Sequence, residues 1–250
     1  MKRALFYTIM FVAIQFLAGG VAALIFKLLN GDSTGATGLI VTTATASIMA
    51  VVIFLAAKWT VVSRHWIQTR PWFVLFWCVM AALGILVPST WLQEQMPTLP
   101  NFAEDAFDMI MKDRMGYFII GLLAPLSEEM VFRGAVLKSL LQWKRNPWIG
   151  IAISAFLFAL IHMNPVQMPH AFLVGLLLGW MYYRTDSIVP GVVYHWVNNT
   201  VAYVMYNLYP DPDMTLVDLF GSQRTILMAL VFSLCIFLPA LYQLNLRLKK

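Results

Sequence analysis

The chain has 250 residues, of which 60% are hydrophobic and only 12% are charged, and its mean hydropathy is +0.74. A soluble domain carries roughly 25% charged residues, so the composition excludes an ordinary soluble protein and indicates a membrane protein. The net charge of +5 does not indicate nucleic-acid binding, because the basic residues follow an alternation between loops that is typical of membrane topology.

Runs of about 20 apolar residues are typical of transmembrane helices, and such runs recur along the whole chain. They predict an all-α, polytopic membrane protein of about eight transmembrane helices, folded as a single integral membrane domain over residues 1–250. An amphipathic pattern at 102–110 predicts a further helix on the outer face. The predicted spans are 4–29, 37–57, 71–89, 116–141, 147–163, 169–183, 187–208 and 225–245.

The distribution of Lys and Arg predicts an orientation, with the N- and C-termini both cytoplasmic. In that orientation 12 of the 17 basic residues fall in cytoplasmic segments, and only Arg133 lies well inside a span, since Lys27 and Lys138 lie at span ends. This asymmetry is the positive-inside pattern. With the compact size and short loops, it predicts a multi-pass protein of a bacterial inner (plasma) membrane. The cytoplasmic set is Lys2, Arg3, Lys58, Arg64, Arg70, Lys138, Lys144, Arg145, Arg184, Arg247, Lys249 and Lys250.

The first apolar segment has an alternative interpretation as a cleaved signal peptide. Lys2 and Arg3 precede the segment, and small residues follow at 18–23. The apolar run continues through 24–26, beyond a typical signal core, which favours a retained helix. The charge pattern fits both interpretations, because removing this helix leaves the orientation of the others unchanged.

The fourth predicted span contains three ionisable residues, in the stretch 128-EEMVFR-133. Such residues are rare inside membranes and usually functional. Glu129 and Arg133 are four residues apart, so they share a helix face and can form a charge-assisted pair. Glu128 is rotated by about 100°, which leaves it outside that pair as the candidate general base. Pro125 leaves a backbone acceptor unpaired and predicts a bend in the same helix.

Two later spans each carry another polar set. Phe158 and His162 are one helical turn apart, and so are His195 and Asn199. Taken singly, each residue also fits a structural role as a buried pair or an interhelical hydrogen bond. Their combination favours one shared site, because separate buried polar groups would each cost several kcal/mol. No special role is predicted for three other ionisable residues, His65, His170 and Asp186.

The motifs E-E-x-x-x-R, F-x-x-x-H and H-x-x-x-N, in this order on successive helices, resemble the CPBP family of intramembrane endopeptidases. This CAAX protease and bacteriocin-processing family includes type II CAAX prenyl proteases and Abi-type bacterial proteins. The resemblance covers a catalytic core at about 116–208, and the earlier spans match only in general character. Every motif position is filled, by Glu128, Glu129, Arg133, Phe158, His162, His195 and Asn199.

The resemblance implies an intramembrane hydrolase that cleaves peptide bonds, in CAAX-type or peptide-precursor processing. Glu128 and His162 are expected to hold and activate a water molecule, while His195 and Asn199 donate to the oxyanion. Glu129 and Arg133 are expected to support Glu128. The implied partners are a peptide or protein substrate, prenylated or membrane-embedded, and the lipid bilayer, but no nucleic acid.

A divalent metal such as Zn²⁺ is the alternative within this interpretation, which would make the protein a metalloendopeptidase. Glu128, His162 and His195 are candidate ligands. The H-E-x-x-H pattern of common zinc proteases does not occur in the sequence, and Asn199 is a poor zinc ligand. The pattern therefore favours a glutamate-based hydrolase with no required cofactor.

A transporter, channel or bacteriocin-immunity binding protein is the alternative from another class. Intramembrane glutamates and histidines also build proton relays. The sequence contains no evident internal repeat of the transporter kind, and its complete motifs argue against an inactive scaffold. These observations favour hydrolysis.

The depths of the polar residues constrain a shared site. Counted from the predicted cytoplasmic ends, Glu128, His195 and His162 lie about 13, 8 and 15 residues deep, or about 20, 12 and 22 Å. Straight helices would hold them at different depths. A shared site therefore predicts tilted or bent helices, and a 164–168 connection that lies below the outer membrane surface.

Overall fold

The computed structural model describes residues 1–30, 32–60, 71–143, 145–211 and 214–248, and within these ranges it is helical without any β-strand. The sequence predictions that concern Arg64, His65, Arg70, Lys144, Lys249 and Lys250 lie outside the described residues. The helices are α1 (Lys2–Asn30), α2 (Ala36–Ala56), α3 (Trp72–Glu94), α4 (Glu104–Lys112), α5 (118–143, in four pieces), α6 (Pro147–Leu160), α7 (Met168–Thr185), α8 (Val189–Leu208), α9 (Leu216–Phe220) and α10 (Gln223–Arg247).

Each of the eight predicted spans coincides with a helix, and the all-α, polytopic membrane fold is confirmed. Among the described residues, four helices are long and apolar enough to cross a membrane, namely α1, α2, α3 and α10. Helix α6 is apolar but has only 14 residues, and α5, α7 and α8 carry the polar residues of the predicted site. The amphipathic segment forms α4 as expected, whereas the short helix α9 was not predicted.

Helix α5 changes its winding twice along its length. A π-helical piece (Phe118–Leu123) leads into an α-helical piece (Ala124–Val131), and a second π-helical piece (Phe132–Leu137) leads into another α-helical one (Lys138–Trp143). π-Helical turns are rare and occur frequently at functional sites. Both glutamates of the first motif lie on the α-helical piece between the two π-helical ones.

Helix α5 lies in the centre of the fold. Its second π-helical piece is buried throughout, and α1, α2, α6, α7 and α8 all pack against α5. Helices α3 and α10 pack on each other and form a layer beside α7 and α8. The three predicted motifs are therefore carried by the central helix and two of its neighbours.

Segments that the charge pattern places on the same side of the membrane contact each other. At one end of α7, Arg184 Nε–H donates to the carbonyl oxygen of Leu248 at 3.1 Å, and both segments are predicted to be cytoplasmic. At the other end, the Val166 amide donates to the Pro100 carbonyl at 3.3 Å, and both are predicted to be outer. These contacts agree with the predicted alternation, while the absolute orientation stays a prediction.

Gly84 marks a close approach between α3 and α10. A Cβ atom at this position would lie 2.7 Å from the backbone nitrogen of Phe237 and 2.9 Å from its Cα. Gly84→Ala must therefore separate the two helices, and we expect it to lower the free energy of unfolding by about 1–3 kcal/mol. Thermal unfolding in detergent measures this loss.

Gly20→Ala in α1 is the matched control, because nothing lies within 4 Å of a Cβ built at that position. Alanine favours a helix over glycine, so the control should be as stable as the wild type or slightly more stable. Equal losses in the two variants would contradict the interpretation of Gly84.

Candidate functional site

The first motif forms a fully buried ion pair. Glu129 and Arg133 are 0% and 1% exposed, and Arg133 Nη1–H donates to Glu129 Oε1 at 2.8 Å. The other terminal nitrogen, Nη2, donates to the Gly175 carbonyl on α7 at 3.2 Å. The guanidinium carbon lies 4.5 Å from the ring centroid of Phe158 on α6, which is a cation–π contact. The pair predicted from the four-residue spacing is thus present, and it also binds α5 to two neighbouring helices.

Two glycines allow the neighbouring helices to approach this ion pair. A Cβ atom at Gly191 of α8 would lie 2.8 Å from Glu129 Oε2, and one at Gly175 of α7 would lie 2.9 Å from the Cβ of Ala155. Small residues are common where membrane helices pack closely. At these two positions they leave room for the buried carboxylate and for the contact between α6 and α7.

His195 lies between the two glutamates. Its Nδ1 is 3.3 Å from Glu129 Oε1, and its Nε2 is 3.8 Å from Glu128 Oε2. An ionised carboxylate only accepts hydrogen bonds, so Nδ1 is the donor to Glu129. The separation of 3.8 Å is longer than a hydrogen bond. Glu128 is also 17% exposed, in contrast to the fully buried Glu129.

His162 is oriented by its own helix. Its Nδ1 lies 2.8 Å from the carbonyl oxygen of Phe158, and since that oxygen can only accept, the proton is on Nδ1 and Nε2 keeps a lone pair. The rings of Phe158 and His162 pack edge to face at 5.0 Å, and those of Phe158 and His195 at 5.9 Å. The Phe158 ring therefore contacts a residue of each motif, and the three motifs converge around it.

Asn199 contacts α5 at some distance along the chain from the ion pair. Its Nδ2 donates to the carbonyl oxygen of Ile120 at 2.9 Å, and its Oδ1 accepts from Asn198 Nδ2 at 3.3 Å. Ile120 belongs to the first π-helical piece. One of the two N–H bonds of the Asn199 amide is therefore used within the protein, and the other remains as a potential donor.

The family described as "Type II CAAX prenyl endopeptidase Rce1-like" matches residues 112–201 of the chain. All three motifs lie within this stretch. We call residues 112–201 the Rce1-like segment, after the family that they match. The resemblance expected from the motifs is thus confirmed at the level of the family, which is a family of proteases.

A curated relative matches part of the same chain. UPF0177 protein YxdF of Lactococcus lactis subsp. lactis (strain IL1403) is 29% identical over 80 residues, which are 31% of this chain and 42% of the relative. The match therefore spans less than half of the relative's length. No solved structure matches the chain significantly.

The Rce1-like segment contains a third histidine that the sequence did not single out. His170 lies in the first turn of α7, eight residues after His162. The chain itself places His170 near His162, because a connection of only seven residues between α6 and α7 keeps the two adjoining helix ends together. Asp186 lies at the opposite end of α7, where it ends the helix in a left-handed conformation.

A structural zinc site has four protein ligands, and a catalytic one typically has three. Within the residues that the structure describes, no three His, Cys, Asp or Glu side chains are arranged to hold a metal ion. In the Rce1-like segment, His195 Nδ1 faces Glu129 and His162 Nδ1 faces a backbone carbonyl, which leaves one nitrogen of each ring. The remaining atom on each ring, Nε2, is the one that a metal-binding histidine with this second hydrogen bond would present to a metal ion.

Arg133→Met would leave the Glu129 carboxylate buried without a counter-ion. We expect a loss of about 3–5 kcal/mol in the free energy of unfolding, measured by thermal unfolding in detergent. The double variant Glu129→Gln/Arg133→Met removes both charges and should recover much of that loss.

Lys138→Met is the matched control, since it removes a basic residue of α5 that is only partly buried. We expect it to change the unfolding temperature little. If Arg133→Met were as stable as Lys138→Met, the ion pair would not have the structural importance that its burial indicates.

Proposed function

We propose that this chain is an intramembrane endopeptidase of the CAAX type, in which Glu128 and His162 activate the attacking water. One observation supports the proposal most strongly. His195 hydrogen-bonds to the buried Glu129 and faces the accessible Glu128, and this arrangement lies inside a segment that matches an endopeptidase family. The substrate is proposed to be a peptide or protein, prenylated or embedded in the bilayer.

Glu128 is the proposed general base. It is partly accessible, and it faces His195 rather than the arginine that neutralises its neighbour. In the proposed step, a water O–H bond breaks and its proton passes to the Glu128 carboxylate, while the water oxygen forms a bond to the scissile carbonyl carbon. His162 assists by accepting the second water proton in a hydrogen bond at Nε2, which its bond to Phe158 leaves free.

His195 and Asn199 are the proposed donors to the oxyanion that forms in this step. Because His195 already uses Nδ1–H toward Glu129, donation from Nε2 requires a ring that is protonated on both nitrogens. Such an imidazolium carries its positive charge toward the oxyanion. When the tetrahedral intermediate collapses, the C–N bond breaks and Glu128 returns its proton to the leaving amine, which yields a new carboxylate and a new amine.

The Glu129–Arg133 pair is proposed to support the site through His195. Glu129 Oε1 accepts from both Arg133 and His195, so the pair holds the imidazole in one tautomer and one orientation. This chemistry involves no resident metal, and we propose that none is required. From the basic-residue pattern we further propose that the protein resides in a bacterial plasma membrane.

Glu128→Gln keeps the size of the side chain and removes its basicity. We expect it to reduce peptide cleavage by roughly 10²–10⁴-fold without lowering the unfolding temperature, and His162→Ala should likewise abolish cleavage. The measurement is a comparison by mass spectrometry of the peptides in membranes of cells that express the wild type or the variant. Unchanged peptide profiles for Glu128→Gln would exclude it as the base.

Glu104→Gln on α4 is the matched control, because Glu104 is exposed and precedes the Rce1-like segment. It should leave cleavage at the wild-type level. Loss of cleavage in this control would indicate that the assay responds to general damage rather than to loss of the base.

The metal-free part of the proposal has its own test. Purified protein that is incubated with a strong chelator should keep its peptidase activity, because the proposed chemistry uses only Glu128 and histidine side chains. Loss of activity that returns on addition of Zn²⁺ would overturn the metal-free mechanism, while leaving the assignment as an endopeptidase intact.

A further inference from the structure

The first π-helical piece of α5 ends where its backbone hydrogen-bond pattern can no longer continue. In this piece the Ala124 amide donates to the Ile119 carbonyl, five residues earlier. The next amide in the same pattern would be that of residue 125, and its acceptor would be Ile120. Residue 125 is proline, which has no N–H. The Ile120 carbonyl is therefore left without the backbone donor that the pattern assigns to it.

Asn199 supplies the missing donor from another helix. Its Nδ2 lies 2.9 Å from the Ile120 carbonyl oxygen, and Asn198 holds the other end of the amide by donating to Asn199 Oδ1 at 3.3 Å. A backbone carbonyl inside the membrane has no water to accept a hydrogen bond from, and leaving it unpaired costs free energy. The Asn199 side chain supplies the hydrogen bond that this carbonyl would otherwise lack. This bond therefore takes the place of the backbone hydrogen bond that Pro125 cannot donate.

The repaired position lies just before Glu128. Pro125 precedes Glu128 by three residues, less than one helical turn, and opens the α-helical piece on which Glu128 lies. A second bond joins the same two helices one turn earlier, where the Trp196 indole N–H donates to the Tyr117 hydroxyl at 3.0 Å. His195 of α8 contacts Glu128 and Glu129 themselves, and the Ile120–Asn199 bond adds a second attachment of α5 to α8 on the N-terminal side of Glu128.

We infer that Asn199 is a positioning residue, whose amide replaces the absent N–H of Pro125 and so fixes the piece of α5 that carries Glu128. The effect on catalysis rests on the proposed function, but the anchoring of α5 does not. The bond to Ile120 uses one N–H of the amide, and the proposed donation to the oxyanion uses the other. The two roles therefore make different predictions for a variant in which the backbone donor is restored.

Hydrogen–deuterium exchange of the purified full-length protein in detergent tests the anchor without any assay of activity. Asn199→Ala removes the donor, and we expect exchange of the amides in 118–126 to accelerate on the order of tenfold, as suits the loss of one buried hydrogen bond. Pro125→Ala in the Asn199→Ala background provides a backbone N–H for the Ile120 carbonyl. It should slow exchange in 118–126 again, toward the wild-type rate.

Asn207→Ala is the matched control on the same helix. Asn207 Nδ2 also donates to a backbone carbonyl, that of Met111 at 3.0 Å, but the residue five positions after Met111 is Gly116, which has an N–H, and not a proline. This variant should affect exchange near residue 111 and leave 118–126 unchanged, and adding Pro125→Ala should not reverse its effect. Two results would overturn the inference that Asn199 anchors α5. One is an exchange rate in 118–126 that is the same in Asn199→Ala as in the wild type. The other is an exchange rate in Asn199→Ala that the addition of Pro125→Ala does not lower.

Measurement of kcat and KM distinguishes the positioning of α5 by Asn199 from the donation of a hydrogen bond by Asn199 to the oxyanion. Asn199→Ala should lower kcat on the order of tenfold or more with KM changed less than about twofold, and the double variant should recover part of that loss. Restored exchange with kcat still as low as in Asn199→Ala would show that Asn199 acts only as a donor, which overturns the positioning role. If the wild type itself cleaved no peptide, the proposed function would fail while the exchange result still decided the anchor.

Asn199→Asp keeps the proposal testable if proteins with Pro125→Ala do not fold. Aspartate has the size of asparagine, but an ionised carboxylate cannot donate to the Ile120 carbonyl. Exchange in 118–126 should therefore accelerate as it does in Asn199→Ala. Exchange at the wild-type rate in this variant would overturn the inference.

Discussion

The buried ion pair between Glu129 and Arg133 is the interaction on which the arrangement of the central helices depends. Two charges in an apolar interior need hydrogen bonds beyond their mutual attraction, and here the further contacts come from three helices, although Glu129 Oε2 and Arg133 Nε have no hydrogen-bond partner. Helix α6 contributes the Phe158 ring, α7 contributes the Gly175 carbonyl, and α8 contributes His195. The pair thus joins these helices to α5. Gly191 leaves room for the Glu129 carboxylate, and Gly175 leaves room for α6 to pack against α7.

Adjacent positions in the chain acquire different chemistry through the winding of α5. Glu129 points into the packed interior, whereas Glu128 faces partly accessible space beside His195. The α-helical piece that carries both is only eight residues long and lies between two π-helical pieces. Within this piece the ordinary α-helical rotation of about 100° between neighbouring residues places one carboxylate in the ion pair and leaves the other partly accessible.

The sequence predicts the helices and the ion pair well, because apolar runs and a four-residue spacing are local signals. It also predicts that the motifs converge, since isolated polar groups in a membrane are costly. It does not predict the π-helical pieces, which follow from tertiary packing rather than from residue propensity. Pro125 signals an unpaired backbone acceptor, but only the folded chain identifies Ile120 as that acceptor and Asn199 as its donor.

The shortness of α6 has a consequence for the supply of water. Its 14 residues rise about 21 Å, whereas the hydrocarbon core of a bilayer is about 30 Å thick. A bilayer adapts to such a mismatch by thinning next to the short helix, or by letting polar groups reach inward from the interface. His162 lies just beyond the end of this helix. Either response would bring the interface toward the histidine and shorten the path of the water that the proposed cleavage consumes.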